Sequence, residues 1–358
     1  MKKVLVANIF GIGDVLFTTP LISNLKMETG GMVVDYLCNA RGLDVVELNP
    51  DIDTIYVYEK DDYDKLWKES KIKFVRKCID LYFSIKNKKY DVVFDFTLSR
   101  RFSFLFKLAG IRRRIGLDYH KRGIFFTDKV VIEGFTGKHV IEYYLDLLKF
   151  LRIPQVEKRM KLIPDDKTLI WSKKYMKEHD LFGKDVVAIL PGGGASWGKH
   201  SYRKRWRGEN FSKVADILVS KGLNVIILGS SDEEELCKDV ETQMESSPIF
   251  VRNNFTLKEY VSILANCSAV LCNDGGPLHI ATALKVKTVS VFGPVDEMVY
   301  GPYPDKKNNI VVTKSDLRCR PCYRNFKLPD CNNENKCMKE LYPEKVAYEC
   351  LKLFGIEK

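Results

Sequence analysis

The chain has 358 residues, 45% hydrophobic and 29% charged, which excludes a disordered or fibrous protein and suits two domains better than one. Its formal net charge is +11, from 58 Lys+Arg against 47 Asp+Glu. That favours anionic partners (nucleic acid, phosphorylated small molecules or an anionic membrane surface), against the plainer reading of a lysine-rich solvated surface.

No run of about 18 apolar residues occurs, so no transmembrane helix is expected. Met1-Lys2-Lys3 and VLVANIF imitate a signal peptide, but the apolar run is short. Gly13-Asp14 follows where a small-residue cleavage site would stand. The segment therefore reads as a first strand of a cytoplasmic protein. VLVANI (4–9), MVVDYLC (32–38), TIYVY (54–58) and DVVFDF (91–96) read as strands, with helices over 20–29 and 63–88 between them. Near-continuous apolar strands alternating with helices imply a parallel sheet covered on both faces. The pattern lapses around Pro154 and Pro164, and 154–184 reads as a linker. It restarts with VVAIL (186–190), NVIILG (224–229), AVLCN (269–273) and TVSVFG (288–293). PEKVAYECLKLFGI (343–356) predicts an amphipathic helix opened by a proline. Two α/β domains facing each other across a cleft are the expected architecture, with ligands at the carboxyl ends of the strands.

Three turns after strands carry chemistry. In the first, Gly11-Ile12-Gly13-Asp14 precedes LFTTP. Leu16 stands where a dinucleotide fingerprint needs glycine. Thr19-Pro20 is suited to cap and start the next helix, and Asp14 is either a helix cap or a general base. In the second, PGGGASWGKHSYRKRW (191–206) nearly spells a P-loop from Gly193 to Lys199. His200 replaces the magnesium-binding hydroxyl, so a glycine turn with a cationic loop, Lys199, Arg203, Lys204 and Arg205, is the better reading. In the third, Asp274-Gly275-Gly276-Pro277-Leu278-His279 places glycines and a proline at a helix start. That makes an anion site suited to a diphosphate. Asp274 is placed to accept hydrogen bonds from sugar hydroxyls, and His279 is either functional or a satisfied core histidine. Glu233, after NVIILG, either bonds a ribose or merely opens an acidic helix.

GIGDVLFTTP, PGGG…KRW and NDGGPLHIATALKVKTVSVFGP resemble glycosyltransferase family 9, the heptosyltransferases and relatives of lipopolysaccharide inner-core synthesis. The motifs stand in the family's order across nearly the whole chain. The resemblance implies a GT-B fold of two Rossmann-like, doubly wound domains: 1–165 for the acceptor, 166–342 for the nucleotide sugar, and a helix at 343–358 returning to the first domain. It implies Asp14 as catalytic base, with Gly13 beside it an acceptor contact. It implies donor contacts from Lys204, Glu233, Asp274, Gly275, Gly276, His279, Gly193 and Gly194. The sequence departs from the family where Arg207-Gly208 follows Trp206 in place of proline, and the long loop leaves Lys199 as a rival to Lys204.

By the same resemblance the reaction is an inverting, metal-independent transfer, with ADP-heptose the favoured donor. Asp51-Ile52-Asp53 spells a metal-binding pattern of other glycosyltransferases, but it stands before a strand of the first domain. The basic residues Arg100, Arg101, Arg112, Arg113, Arg114, Lys121 and Arg122 suit a phosphorylated, lipid-linked saccharide acceptor, with Arg101, Arg113, Arg114 and Arg122 the chosen contacts. FSFLF (102–106) beside them is either a membrane contact at the inner membrane or a buried helix face. Cys319, Cys322, Cys331 and Cys337 form C-x2-C-x8-C-x5-C, read as a structural zinc site or as reduced or reversibly oxidised thiols. A family-9-like transferase using another nucleotide sugar for a different surface glycan is the alternative among enzymes; a metal- and nucleic-acid-binding protein is the alternative of another class, and the dispersal of the basic residues argues against a nucleic-acid partner.

Overall fold

Valine, isoleucine and leucine dominate the segments that pair into sheets, and in β-branched residues the restricted side chain favours the extended backbone. The computed structural model describes residues 2–28, 30–252 and 254–356. The chain forms two units. One runs to Phe135 and takes up Val140–Lys161, and the other comprises Thr136–His139 and the chain from Leu162 onward.

In the first unit the strands are β1 (Lys3–Ala7), β2 (Val33–Cys38), β3 (Ile55–Val57), β4 (Val92–Asp95), β5 (Arg113–Tyr119) and β6 (Asp128–Ile132). They lie parallel in the order β3-β2-β1-β4-β5-β6, with Val4 facing Val34 on one side and Val92 on the other. In the second unit β7 (Val186–Leu190), β8 (Asn224–Leu228), β9 (Phe250–Arg252), β10 (Ala269–Asn273), β11 (Lys287–Phe292) and β12 (Asn309–Thr313) form a parallel sheet in the order β12-β11-β10-β7-β8-β9. Val4 to Ala7 and Val186 to Ile189 are fully buried, because helices cover both faces of a parallel sheet. This is the expected doubly wound α/β architecture.

The helices that matter to function are α1 (Ile12–Glu28), α2 (Lys60–Glu69), α3 (Lys71–Lys88), α4 (Arg100–Leu108), α5 (Gly208–Ser220), α6 (Gly276–Ala283) and α7 (Pro343–Lys352). Several expectations need correction. Helix α1 starts at Ile12, so Thr19-Pro20 lies inside it rather than opening it. The Pro20 ring removes the N–H that would bond the Leu16 carbonyl, and the Thr19 hydroxyl supplies a donor to that carbonyl at 2.7 Å. The single helix expected over 63–88 is two, because Ser70 is extended and its side chain accepts from the Lys73 N–H. The 154–184 linker contains a helix, Asp166–Glu178, capped by Asp165 on the Thr168 N–H. Strands β5, β6, β9 and β12 have apolar runs of no more than three residues; three of them are edge strands, and β5 carries Arg113, Arg114 and Asp118.

Two packing outcomes bear on function. Phe102 and Phe106 of FSFLF enter the first unit's core, leaving Phe104 as its exposed large apolar side chain. Val346, Ala347, Cys350 and Leu351 complete the core of the second unit, where α7 packs on α5.

Candidate functional site

The first turn is built by side chains that satisfy its backbone. Asn8 donates to the Asp14 carbonyl at 3.0 Å and accepts from the Phe10 N–H at 3.1 Å. Asn39 donates to the carbonyls of Ile9 and Phe10, both at 3.0 Å. These bonds hold the loop between β1 and α1, and Gly13 and Asp14 fall in the first helical turn, both half-buried. A carboxylate there is favoured by the positive end of the helix dipole. At the carboxyl end of neighbouring β4, Asp95 is fully buried and accepts from the Thr97 N–H and hydroxyl through one oxygen, while Oδ2 has no hydrogen-bond partner. Burial pushes its carboxyl up to about 7, with the Thr97 bonds opposing.

The second unit brings together residues from three turns. Gly193 and Gly194 adopt positive φ of 103° and 72°, a conformation glycine accepts without strain. A side chain at Gly192 would strike Glu233, whose carboxylate accepts from the Gly193 N–H at 2.8 Å and from the Ser230 N–H at 3.0 Å. Among the four adjacent acidic residues, the structure therefore turns Glu233 to the glycine loop. Asn273, at the end of β10, donates to the carbonyls of Pro191 and Gly192 at 2.8 and 3.0 Å and accepts from the Trp206 N–H at 2.9 Å. Arg205 donates to the Gly193 carbonyl at 2.8 Å.

Lys204 and Asp274 meet within this frame. Their Nζ and Oδ2 lie 2.6 Å apart as an ion pair with side chains 10% and 4% exposed. The Lys204 ammonium also lies 4.7 Å from the centre of the Trp197 ring. Lys199, by contrast, is exposed. Gly275 caps α6 and fits tightly against Gly193 and Gly194, and Gly276 and Pro277 open the helix. The first-turn amides of α6 give this turn a positive potential, while the Lys204 charge is balanced by Asp274. His279 is buried two residues further on. Burial, then the charges of His139 and Lys204, push its imidazole down to about 3, so it stays neutral near pH 7.

Other predicted residues fall elsewhere. Arg113 holds Asp128 through two bonds, 3.1 and 3.3 Å, and donates to the Phe150 carbonyl. Arg114 donates to the carbonyls of Phe125 and Ile111 at 2.6 and 2.5 Å. Both guanidinium groups are engaged within the first unit, whereas Arg101 and Arg122 are exposed. Asp51 is taken by Lys161 at 2.7 Å and Asp53 by Lys26 at 2.7 Å. In the cysteine segment, Cys331 accepts from the Asn335 N–H at 3.2 Å and Cys319 from the Asn333 amide at 3.3 Å, and Cys337 is buried. Among the described residues no three His, Cys, Asp or Glu side chains form a group able to hold a metal.

A model of glycosyltransferase family 9 (heptosyltransferase) matches residues 79–329. The chain belongs to glycosyltransferase family 9. It is a glycosyltransferase with the GT-B fold of that family. A lipooligosaccharide heptosyltransferase 2 of Campylobacter jejuni is 35% identical over 176 residues, 48% of this chain and about half (52%) of the relative. The lipopolysaccharide heptosyltransferase 3 of Escherichia coli is 25% identical over 86% of this chain and 88% of the relative. Among solved structures, a family 9 glycosyl transferase of Veillonella parvula superposes with a TM-score of 0.82 at 22% identity, covering 98% of this chain and 97% of that one. An Escherichia coli heptosyltransferase WaaC solved with ADP gives 0.73 at 18% identity, covering 98% and 99%.

For this family 9 chain, the residues that sequence reasoning missed are the braces. Asn8, Asn39 and Asn273 hold the turns that carry the singled-out residues. Asparagine's paired donor and acceptor suit it to loops, but no spacing marks which asparagine faces which loop.

Proposed function

We propose that the protein transfers a heptose from ADP-heptose to a lipopolysaccharide inner-core acceptor, with inversion and without a metal. The single observation that carries the reading is the buried Lys204–Asp274 pair set between the glycine turn and the start of α6, in a chain that matches a lipopolysaccharide heptosyltransferase along most of its length. Donor and acceptor are assigned to the second and first units respectively. The diphosphate displaces the Asp274 carboxylate from the Lys204 ammonium and takes the amides of α6. Asp274, so released, accepts from hydroxyls of the sugar. Glu233 keeps lone pairs beyond its two backbone bonds for a ribose.

Asp14 then removes the proton of the acceptor hydroxyl. The acceptor oxygen bonds the anomeric carbon as the bond to the diphosphate oxygen breaks. Lys204 and the helix dipole stabilise the charge that leaves, a task for which other enzymes use a divalent cation. Neutral His279 donates or accepts a hydrogen bond there without adding charge. Exposed Arg101 and Arg122 suit the anionic acceptor. The reading sets the reaction in the cytoplasm.

Calorimetry with ADP, UDP and GDP, each with and without magnesium, tests it. Magnesium-independent preference for ADP is expected, and Lys204→Met should weaken it by roughly tenfold to a hundredfold, the value of a charge-assisted contact. Asp14→Asn should bind ADP normally yet transfer about 10²–10⁴ times more slowly. Undiminished turnover in a folded Asp14→Asn protein would remove the base assignment, and preference for UDP or GDP would move the donor to another sugar.

A further inference from the structure

Helix α3 is apolar on two faces. Its inner side presents Leu81 and fully buried Ile85 to the first unit's core. Its outer side carries Ile72, Val75, Ile79 and Phe83, spaced three and four residues apart and therefore in one row. They are 83%, 48%, 45% and 48% exposed. Single exposed apolar residues are ordinary, but four in register along roughly 16 Å of helix are a surface feature. Trp67 of α2 is half-exposed and sits edge-on to Phe74 of α3, ring centres 5.1 Å apart, so the patch extends across both helices.

Cations border the row. Lys86 stands over the rings of Tyr82 and Phe83 at 5.3 and 5.9 Å, and Lys71 over Trp67 at 5.5 Å. Arg76 is exposed next to Val75. Residues 60–89 hold ten Lys and Arg against five Asp and Glu. The acidic side chains of α2 are largely occupied: Asp64 by Lys60 at 4.0 Å, Glu69 by Lys65 at 3.9 Å, and Asp62 by Lys77 at 3.3 Å. Asp80 lies about 100° around the helix from Ile79.

We infer that the α2–α3 surface docks on an anionic lipid bilayer. Helix α3 lies in the plane of the interface, its outer apolar row among the headgroup–acyl boundary and Lys71, Arg76 and Lys86 on lipid phosphates. Trp67 takes the interfacial level that tryptophan favours. Charge complementarity selects this occupant: two copies of a cationic face repel each other, whereas anionic headgroups attract it. No described helix is long and apolar enough to cross a membrane, so surface attachment is the mode available to α3. The inference stands apart from the transfer reading, since no residue assigned to transfer lies on α2 or α3.

Sedimentation of the full chain with vesicles tests it. Phosphatidylglycerol–phosphatidylethanolamine vesicles should carry the protein down at low salt, with less in high salt and little on phosphatidylcholine alone. The combined variant Ile72→Ser, Ile79→Ser, Phe83→Ser should lose at least about tenfold in binding, with an unchanged melting temperature because all three positions are exposed. Lys71→Glu with Lys86→Glu should independently lower binding to the anionic vesicles. Transfer to a delipidated, water-soluble acceptor should be unchanged in both variants, so loss of docking and loss of chemistry read out separately. Wild-type protein left in the supernatant, undiminished binding by either variant, or a wild-type dimer that the serine variant converts to monomer would overturn the inference.

Discussion

At the scale of single residues, two buried ionisable groups oppose each other. The His279 imidazole is held down to about 3 and the Asp95 carboxyl is pushed up to about 7, both first by burial. For His279 the unfolded chain binds a proton more readily. Its contribution to stability is therefore complete above the unfolded value near 6.5 and is lost as pH falls from there towards about 3. For Asp95 the folded state binds the proton more readily, and its contribution is lost as pH rises from the unfolded value near 3.8 through about 7. Each slope approaches roughly 1.4 kcal/mol per pH unit inside its window. Urea unfolding at several pH values should show the cost of His279→Asn shrinking as pH is lowered below 6.5. Asp95→Asn should gain on the wild type as pH rises from 4 to 7. Parallel pH profiles for variant and wild type would show that the group is not buried as described.

At the scale of the element, α1 shows how a helix interior accommodates proline. The sequence motif places Thr19-Pro20 at a helix start on propensity alone, and that expectation fails because the neighbouring Thr19 hydroxyl supplies the donor that proline removes, while longer-range bonds fix the Thr19 and Asn24 side chains. The Thr19 hydroxyl donates to the Leu16 carbonyl and accepts from the Lys161 N–H at 2.9 Å. Asn24 donates to the carbonyls of Pro20 and Glu157 and accepts from the N–H groups of Val156 and Glu157. Both side chains are buried, so their removal strands main-chain groups away from water. Asn24→Ala should cost about 2–4 kcal/mol and Thr19→Val about 1–3 kcal/mol in chemical denaturation. Costs within experimental error would mean that water satisfies the same groups.

At the scale of the whole molecule, the closing helix decides whether the second unit is complete. Val346, Ala347, Cys350 and Leu351 are buried in that unit's core, and Lys287 donates to the Leu353 carbonyl at 2.7 Å. A chain stopped before Pro343 uncovers this face of α5 and the sheet. Burial of large apolar side chains contributes about 1.5–3 kcal/mol each, against a net stability of about 5–15 kcal/mol for a domain. The truncated protein should lose ADP binding and yield to protease from residue 162 onward. A truncated chain that binds ADP as the full one does would show α7 to be dispensable.

The sequence by itself determined the two parallel sheets, since Val4–Ala7 and Val186–Ile189 are too continuously apolar for anything but strands covered on both faces. It also marked Asp14 and the glycine turns at 192–194 and 275–276, because a turn after a strand needs residues of small size and a helix start favours an acid or a cap. Only the tertiary structure showed that Lys204 is the lysine buried against Asp274 while Lys199 is exposed, or which of four adjacent acids meets the glycine loop. It alone showed that Arg113 and Arg114 serve the first unit's own carbonyls and Asp128. These outcomes depend mostly on partners more than ten residues away, and local spacing carries no record of those. The same holds for α3: its periodicity is visible in the chain, but which apolar face is buried and which meets solvent is fixed by the sheet it packs on.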